Sequence, residues 1–129
     1  MENVHVLLVE DNEVNQYIVC THFRKMAIGV TVANNGAEAI VLIQSKKFHI
    51  VLMDIQMPVM DGFEATRVIR SMEDAYYKAI PILAFSASSL IDSQEKAMKH
   101  GMVDFINKPF STAEFQTKIH TYINQPTCT

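Results

Sequence analysis

Three short, mostly apolar runs constrain the fold of this 129-residue chain more than any other feature of its sequence. They are Val4–Val9, Ile50–Met53 and Ile80–Phe85, and polar residues follow each of them. Apolar runs without alternation are typical of strands covered on both faces, as in the parallel sheets of α/β proteins. Val30–Ala33 and Val103–Ile106 are weaker candidates for two further strands.

Helical periodicity fills the segments that separate these strands. Apolar side chains recur at three- and four-residue spacing in five segments, which lie near Val14, Ala39, Ala65, Ala97 and Phe115. Ser111, with Glu114 three residues later, has the spacing of a helix capping box. The alternation of strand and helix predicts an α/β domain in which one parallel sheet carries helices on both faces.

Composition and charge exclude several classes of protein. An apolar fraction of 49% is ample for one core, and the net charge of −3 comes with scattered lysines and arginines, which gives no surface for nucleic acid. No apolar run approaches the ~20 residues of a membrane span. Two cysteines, Cys20 and Cys128, lack metal-ligand spacing and favour a reduced, cytoplasmic protein. We expect residues 1–124 to form the domain and residues 125–129 a tail or linker.

Polar side chains occur where the predicted strands end. Glu10 and Asp11 follow the first strand, Asp54 follows the third, Ser86 ends the fourth and Lys108 follows the fifth. The carboxyl ends of parallel strands share one edge of the sheet, where ligands of open α/β sheets bind. The sequence therefore predicts a cleft that holds three carboxylates, one hydroxyl and one ammonium group.

This set of groups has the chemistry of phosphoryl transfer. Clustered carboxylates stay ionised only when cations compensate them, and Mg²⁺ prefers such oxygen ligands. Lys108 can pair with a phosphate, Ser86 can donate a hydrogen bond to it, and an aspartate beside a metal can act as the nucleophile. Taken singly, the acidic pair could serve a helix N-terminus, and the serine and lysine could be ordinary surface residues. Their joint placement favours the functional interpretation.

Four motifs contain these residues. They are Leu8–Asn12, Leu52–Gly62, Phe85–Ala87 and Asn107–Phe110. In this order and spacing, the chain resembles the receiver domain of two-component response regulators over nearly its whole length. It is most similar to the receivers of hybrid sensor histidine kinases. The resemblance implies a flavodoxin-like, three-layer (βα)5 sandwich with a parallel sheet of order 2-1-3-4-5.

The resemblance also implies a role for each site residue. Asp54 aligns with the phosphoacceptor, and Ser86 and Lys108 align with residues that contact the phosphoryl group. The implied ligands of Mg²⁺ are Glu10, Asp11, Asp54 and the backbone carbonyl of Gln56. Ser86 and Phe105 align with the switch residues, which alter the surface formed by the fourth helix, the fifth strand and the fifth helix. The Lys108–Pro109 bond is usually cis in relatives.

The implied function is regulatory rather than enzymatic. The phosphoryl donor would be a histidine kinase or a histidine phosphotransfer domain, with no nucleic-acid or membrane contact by this domain, and a weak homodimer stays open. The chain is either a stand-alone regulator or, as we prefer, a receiver taken from a longer hybrid histidine kinase.

Other functions fit the sequence less well. An aspartate-nucleophile phosphatase usually has a second aspartate where Gln56 stands, and a flavodoxin-like cofactor binder would avoid the acidic residues after the first strand. A pseudo-receiver that acts only as an interaction module typically lacks one of the acidic, acceptor or lysine residues, all of which are present here.

Overall fold

The computed structural model describes residues 4–55, 57, 60–86, 91–108 and 110–123, with residues 91–93 described by their backbone alone. Its strands are β1 His5–Val9, β2 Gly29–Ala33, β3 Ile50–Asp54, β4 Ile82–Ser86 and β5 Asp104–Asn107. Its helices are α1 Glu13–Lys25, α2 Gly36–Ser45, α3 Gly62–Ser71, α4 Ala75–Ala79, α5 Ile91–Lys99 and α6 Thr112–Ile123. The predicted tail and the Lys108–Pro109 bond lie outside the described residues.

The five strands form one parallel sheet of order β2-β1-β3-β4-β5. This confirms the predicted fold class and strand order. The order reverses between β1 and β3, and that reversal opens a crevice at the carboxyl edge of the sheet. Val9 lies opposite Met53, Asp54 opposite Phe85, and Ser86 opposite Asn107. The register therefore brings the polar strand ends to one edge.

Two hydrophobic clusters cover the two faces of the sheet. On one face, Leu7 and Met53 pack with residues of α2, α3 and α5. On the other face, Val6 and Leu52 pack with residues of α1 and α6. Since successive side chains of a strand point to opposite faces, a strand buried on both sides must be apolar throughout. This explains the uninterrupted apolar runs and gives the three-layer sandwich.

Polar side chains cap the helices that lead away from the sheet. Asn12, Asn35 and Asp61 each accept a hydrogen bond from the backbone N–H three residues later. Ser111 does the same for Glu114 N–H, at 3.0 Å, which confirms the predicted cap of α6. Such caps satisfy backbone donors that the helix itself leaves without partners.

Helix α4 is absent from the sequence prediction, which had a single helix before the fourth strand. Its five residues are too few to display helical periodicity. Asp74 caps it by accepting from Tyr76 N–H at 2.9 Å. The Tyr76 hydroxyl accepts from Phe48 N–H at 2.7 Å and lies 3.3 Å from the Phe48 carbonyl oxygen. These contacts join α4 to the loop before β3, so tertiary structure rather than local pattern stabilises this helix.

The residues whose three- and four-residue spacing predicts α1, which are Val14, Tyr17, Ile18 and Thr21, do not form its buried face. Val19 and Phe23 face the core, whereas Val14, Tyr17 and Ile18 are 66%, 70% and 43% exposed. The helix is therefore correctly predicted, and an apolar strip runs along its outer side. Within the described part of the chain, no helix combines the length and the apolar character that a bilayer span needs.

Candidate functional site

Glu10 occupies the floor of the crevice, immediately after β1. Its residue is fully buried, and its backbone N–H donates to the Ala33 carbonyl at 3.0 Å. Its carboxylate accepts a hydrogen bond from Asn12 N–H at 3.0 Å. The Gln16 side-chain amide donates to the Glu10 carbonyl oxygen at 2.6 Å. A buried carboxylate needs such partners to offset the loss of water, and these contacts fix Glu10 between β1 and α1.

Asp54 is the last residue of β3 and is also buried. Gly62, at the start of α3, lies against its backbone. A β-carbon added at Gly62 would lie 2.3 Å from the Asp54 carbonyl oxygen, closer than real β-carbons approach. Only glycine lets the two segments come this close. Asp61 therefore caps α3, and Gly62 lets the start of that helix pack against the end of the strand that carries Asp54.

Lys108 links the carboxylates across the crevice. Its backbone N–H donates to the Ser86 carbonyl at 2.8 Å, which continues the pairing of β5 with β4. Its Nζ lies 2.6 Å from Glu10 Oε1 and 3.3 Å from Asp54 Oδ2. The same ammonium lies 4.5 Å from the centre of the Phe85 ring, within cation–π range. Desolvation offsets much of the Coulomb attraction of buried ion pairs. We therefore infer that these contacts position the Lys108 ammonium and contribute little to the stability of the fold.

Asp11 completes the acidic group at the mouth of the crevice, where it is exposed. One carboxylate oxygen from each of Glu10, Asp11 and Asp54 lies within 4.8 Å of the others. Among the described residues, three carboxylates gather around the Lys108 ammonium, so acidic groups predominate in this part of the crevice. Hard oxygen donors of this kind are the ligands that Mg²⁺ prefers, so the residues present fit this metal.

The switch candidates lie on the two adjacent strands. Ser86 ends β4 and is buried, and its carbonyl holds Lys108. Phe105 is 7% exposed, lies opposite Ala84 and packs in the cluster with α3 and α5. Asp104 accepts a hydrogen bond from the Phe105 N–H at 2.7 Å, and Lys118 donates to the Phe105 carbonyl oxygen. Gln56, the predicted carbonyl ligand, lies outside the described residues.

The structure thus brings Glu10, Asp11, Asp54 and Lys108 together as the strand ends predict. Their individual roles stay predictions. Sequence reasoning assigned no supporting role to Gln16 or Phe85, although Phe85 stands in one of the four motifs. Gln16 reaches the Glu10 carbonyl and also donates to Asn34 Oδ1 at 2.9 Å, and its position one turn into α1 was the available signal. The place of Phe85 beneath the ammonium depends on how the chain turns after β5, which no local pattern reveals.

A sequence profile described as the response regulator receiver domain matches residues 6–120. Histidine kinase 5 of Arabidopsis thaliana is 34% identical over 92% of this chain, and hybrid signal transduction histidine kinase A of Dictyostelium discoideum is 40% identical over 83% of it. The chain spans only 16% and 5%, respectively, of the lengths of these two relatives.

The chain is also similar to solved structures of receiver domains. The receiver domain of sensor histidine kinase PA1611 from Pseudomonas aeruginosa PAO1 matches with a TM-score of 0.88 and 35% identity, covering 95% of this chain and 99% of that one. That structure has a magnesium ion coordinated in its active site cleft. The receiver domain of Ssk1 from Saccharomyces cerevisiae, crystallised with the histidine phosphotransfer protein Ypd1, matches with a TM-score of 0.84 and 33% identity, over 93% and 88% of the two chains.

Proposed function

Because the chain belongs to the response regulator receiver domain family of two-component signalling, we propose that it accepts a phosphoryl group on Asp54 in a Mg²⁺-dependent reaction. The observation that carries the proposal is the position of Lys108. Its ammonium contacts a buried glutamate and a buried aspartate at once, 2.6 and 3.3 Å away, beside a third carboxylate. Phosphoryl transfer asks a protein chiefly for positioning and charge stabilisation, and this arrangement supplies both.

The proposed reaction moves one phosphoryl group between two side chains. A carboxylate oxygen of Asp54 forms a bond to phosphorus as the phosphorus–nitrogen bond of a phosphohistidine breaks, and the departing imidazole nitrogen takes up a proton. Lys108 then exchanges its contact with Asp54 for a phosphoryl oxygen. The Ser86 hydroxyl donates a second hydrogen bond to the same group. Attack of water on the acyl phosphate later releases phosphate and restores Asp54.

Magnesium, when bound, supplies positive charge to the phosphoryl oxygens. Glu10, Asp11 and Asp54 would hold it, together with the backbone carbonyl of Gln56. The burial of Glu10 and its hydrogen bond from Asn12 N–H keep that carboxylate oriented before any metal arrives. Such orientation lowers the cost of assembling the site at the moment of reaction.

The output would be a change of the surface formed by α5, β5 and α6, which are the fourth helix, fifth strand and fifth helix of the resemblance because the short helix α4 is additional here. Ser86 and Phe105 lie on the neighbouring strands β4 and β5, and we infer that movement of the Ser86 hydroxyl towards a phosphoryl group would be followed by an inward turn of the Phe105 ring. A local charge event that biases an element with two arrangements is the usual basis of such switches. Asp104 accepts from the Phe105 N–H and Lys118 of α6 donates to the Phe105 carbonyl, so these contacts would transmit the change to α6.

We infer that the donor is a histidine kinase or a histidine phosphotransfer protein that docks on α1. The exposed strip of Val14, Tyr17 and Ile18 lies on the helix that Asn12 and Gln16 anchor beside the acidic crevice. Exposed apolar patches near a site commonly mark protein contacts. A receiver 33% identical to this chain crystallised with a phosphotransfer protein, which fits a partner of this class. Residues 1–124 would form the receiver unit, with a hybrid histidine kinase as its parent chain.

Acetyl phosphate tests the proposal without a protein partner. The purified chain is incubated with acetyl phosphate, with and without Mg²⁺, and its intact mass is measured. Asp54→Asn is the test variant, and Asp74→Asn, which changes an aspartate that caps α4, is the matched control. We expect a single phosphoryl adduct that requires Mg²⁺, that Asp74→Asn retains and that Asp54→Asn lacks.

Fast hydrolysis could hide the adduct, so binding of beryllofluoride is measured by fluorine NMR in parallel. An aspartate acceptor with bound Mg²⁺ takes up this phosphoryl mimic without turnover. If neither the adduct nor the mimic is detected in the wild type, the domain is a phosphorylation-independent interaction module and the proposed function is wrong.

A further inference from the structure

Four aromatic rings from four different elements meet beside Lys108. They form what we call the aromatic cluster, which consists of His22 in α1, Phe85 in β4, Phe110 in the loop after β5, and Phe115 in α6. Phe110 contacts each of the other three. Its ring centre lies 4.9 Å from that of Phe115 in a stacked arrangement, 5.6 Å from that of Phe85, and 5.1 Å from that of His22.

His22 takes part in the aromatic cluster as a ring rather than as a hydrogen-bonding group. Its plane is nearly perpendicular to those of Phe110 and Phe115, at 86° and 83°. Its Nδ1 is buried and has no hydrogen-bond partner among the described residues. Burial, followed by the nearby charge of Lys25, lowers the pKa of His22 and favours the neutral imidazole. A neutral ring packed edge-to-face with two phenyl rings is the arrangement that aromatic pairs prefer.

Two members of the aromatic cluster lie next to Lys108, one in space and one in sequence. Phe85 lies beneath the Lys108 ammonium, and the Phe110 ring, two residues further along, packs against the same Phe85. A cavity of about 580 Å³ runs along this segment, and its lining includes Ile18, His22, Phe85, Lys108 and Phe110. One side of Phe110 borders this open space, and its other side packs against the core cluster through its ring contacts with Phe85 and Phe115.

We propose that His22 is a positioning residue for phosphoryl acceptance. Its ring holds Phe110 in place, and through Phe110 it keeps Lys108 between Glu10 and Asp54. The inference rests on the proposed function, since it assigns His22 a role in the reaction at Asp54. A misplacement of about 1 Å at a group that stabilises a transition state can cost on the order of a hundredfold in rate. A partial loosening of the loop should therefore cost roughly tenfold.

Three proteins test the inference: the wild type, His22→Leu and His22→Phe. Leucine keeps an apolar side chain but removes the ring, whereas phenylalanine keeps the ring and removes the partnerless nitrogen. The rate of the Asp54 adduct is measured with acetyl phosphate at saturating Mg²⁺. We expect His22→Leu to react about tenfold more slowly than the wild type and His22→Phe to stay within about twofold of it.

Magnesium affinity separates positioning from general damage to the site. Asp54 lies opposite Phe85, but the proposed path from His22 to the carboxylates runs through Phe110 and Lys108, and a displaced Lys108 would leave the negative charge of Glu10 and Asp54 less compensated. Mg²⁺ should therefore bind His22→Leu at least as tightly as the wild type, as measured by NMR titration. Weaker Mg²⁺ binding would overturn the inference, because the variant would then have disturbed the carboxylates themselves.

The other outcomes are equally decisive. Wild-type rates in both variants would overturn the inference, because the ring would then be unnecessary. Slow reaction in both would also overturn it, because phenylalanine keeps the ring and the effect would then belong to the imidazole nitrogens. Circular dichroism checks folding, and His22→Met replaces His22→Leu if the latter does not fold, since methionine fills irregular gaps without a ring. Failure of the wild type to react at all would count against the proposed function rather than against the role of His22.

Discussion

Replacing Gly62 by alanine should destabilise the domain at the point where α3 meets the acceptor strand. The added β-carbon would lie 2.3 Å from the Asp54 carbonyl oxygen and 2.9 Å from Ile55 Cα. Both are backbone atoms of the central strand and its continuation, so neither can rotate away. The helix start or the strand end must move instead.

The expected loss follows from the cost of overpacking. Extra methylene groups forced into a packed interior cost about 1–3 kcal/mol and occasionally more, and the gain of alanine over glycine in a helix is at most about 1 kcal/mol. Since this contact is with backbone, we expect a net loss of about 2 kcal/mol in the free energy of unfolding. With a urea dependence of about 2 kcal/mol/M, the unfolding midpoint should fall by about 1 M.

Gly29→Ala is the matched control for this experiment. There the nearest atom is the side-chain Nδ1 of His5, at 2.8 Å, and that ring can turn aside. Loss of the hydrogen bond between His5 and Thr31 would be offset by the lower entropy of the unfolded chain, so we expect a change within about 1 kcal/mol. Equal urea midpoints for Gly62→Ala and the wild type would refute the argument that the close approach requires glycine.

Three further predictions concern groups away from the crevice. Arg70→Met should lower the free energy of unfolding by about 2–4 kcal/mol, because it leaves the Gly101 and Tyr77 carbonyls without the guanidinium that binds them at 2.7–3.0 Å. Arg67→Met is the control: it removes an exposed ion pair on the same helix and should leave the urea midpoint almost unchanged. Burial, and after it the charges of Lys46 and His49, lower the pKa of His5 in the folded protein. As the pH falls, His5 is therefore protonated in the unfolded chain before it is protonated in the folded one, so the free energy of unfolding should fall as the pH drops below 6.5. His5→Phe should flatten that decline, and an unchanged slope in urea titrations would contradict this assignment. Burial and the Asp104 carboxylate raise the pKa of Tyr122 to about 12, so ultraviolet titration of Asp104→Asn should find this tyrosine ionising at lower pH.

Much of the site could be predicted because parallel strands impose a simple rule. A strand covered on both faces is apolar along most of its length, so a polar residue that follows an apolar run marks its carboxyl end, as at Asp54 and at Glu10. Parallel strands have their carboxyl ends at one edge. The acidic cluster follows from these two facts.

Other features could not be predicted because their causes are distant in sequence. Helix α4 depends on a hydrogen bond between Tyr76 and Phe48, and its own five residues carry no periodic signal. The apolar strip of α1 satisfied the helical pattern, yet it faces outward, because periodicity identifies a helix without saying which face the sheet covers.

Local pattern is enough to predict the alternation of strands and helices, the burial of the sheet on both faces and the polar residues at the strand ends. Three contacts depend on the packing of distant segments: the direct contact of the Lys108 ammonium with Glu10, 98 residues away, the approach of Gly62 to the backbone of Asp54, and the packing of His22 on the loop after β5. The difference arises because local pattern shows which groups must leave water. The distances between those groups depend on strand register and helix packing, which the whole chain sets together.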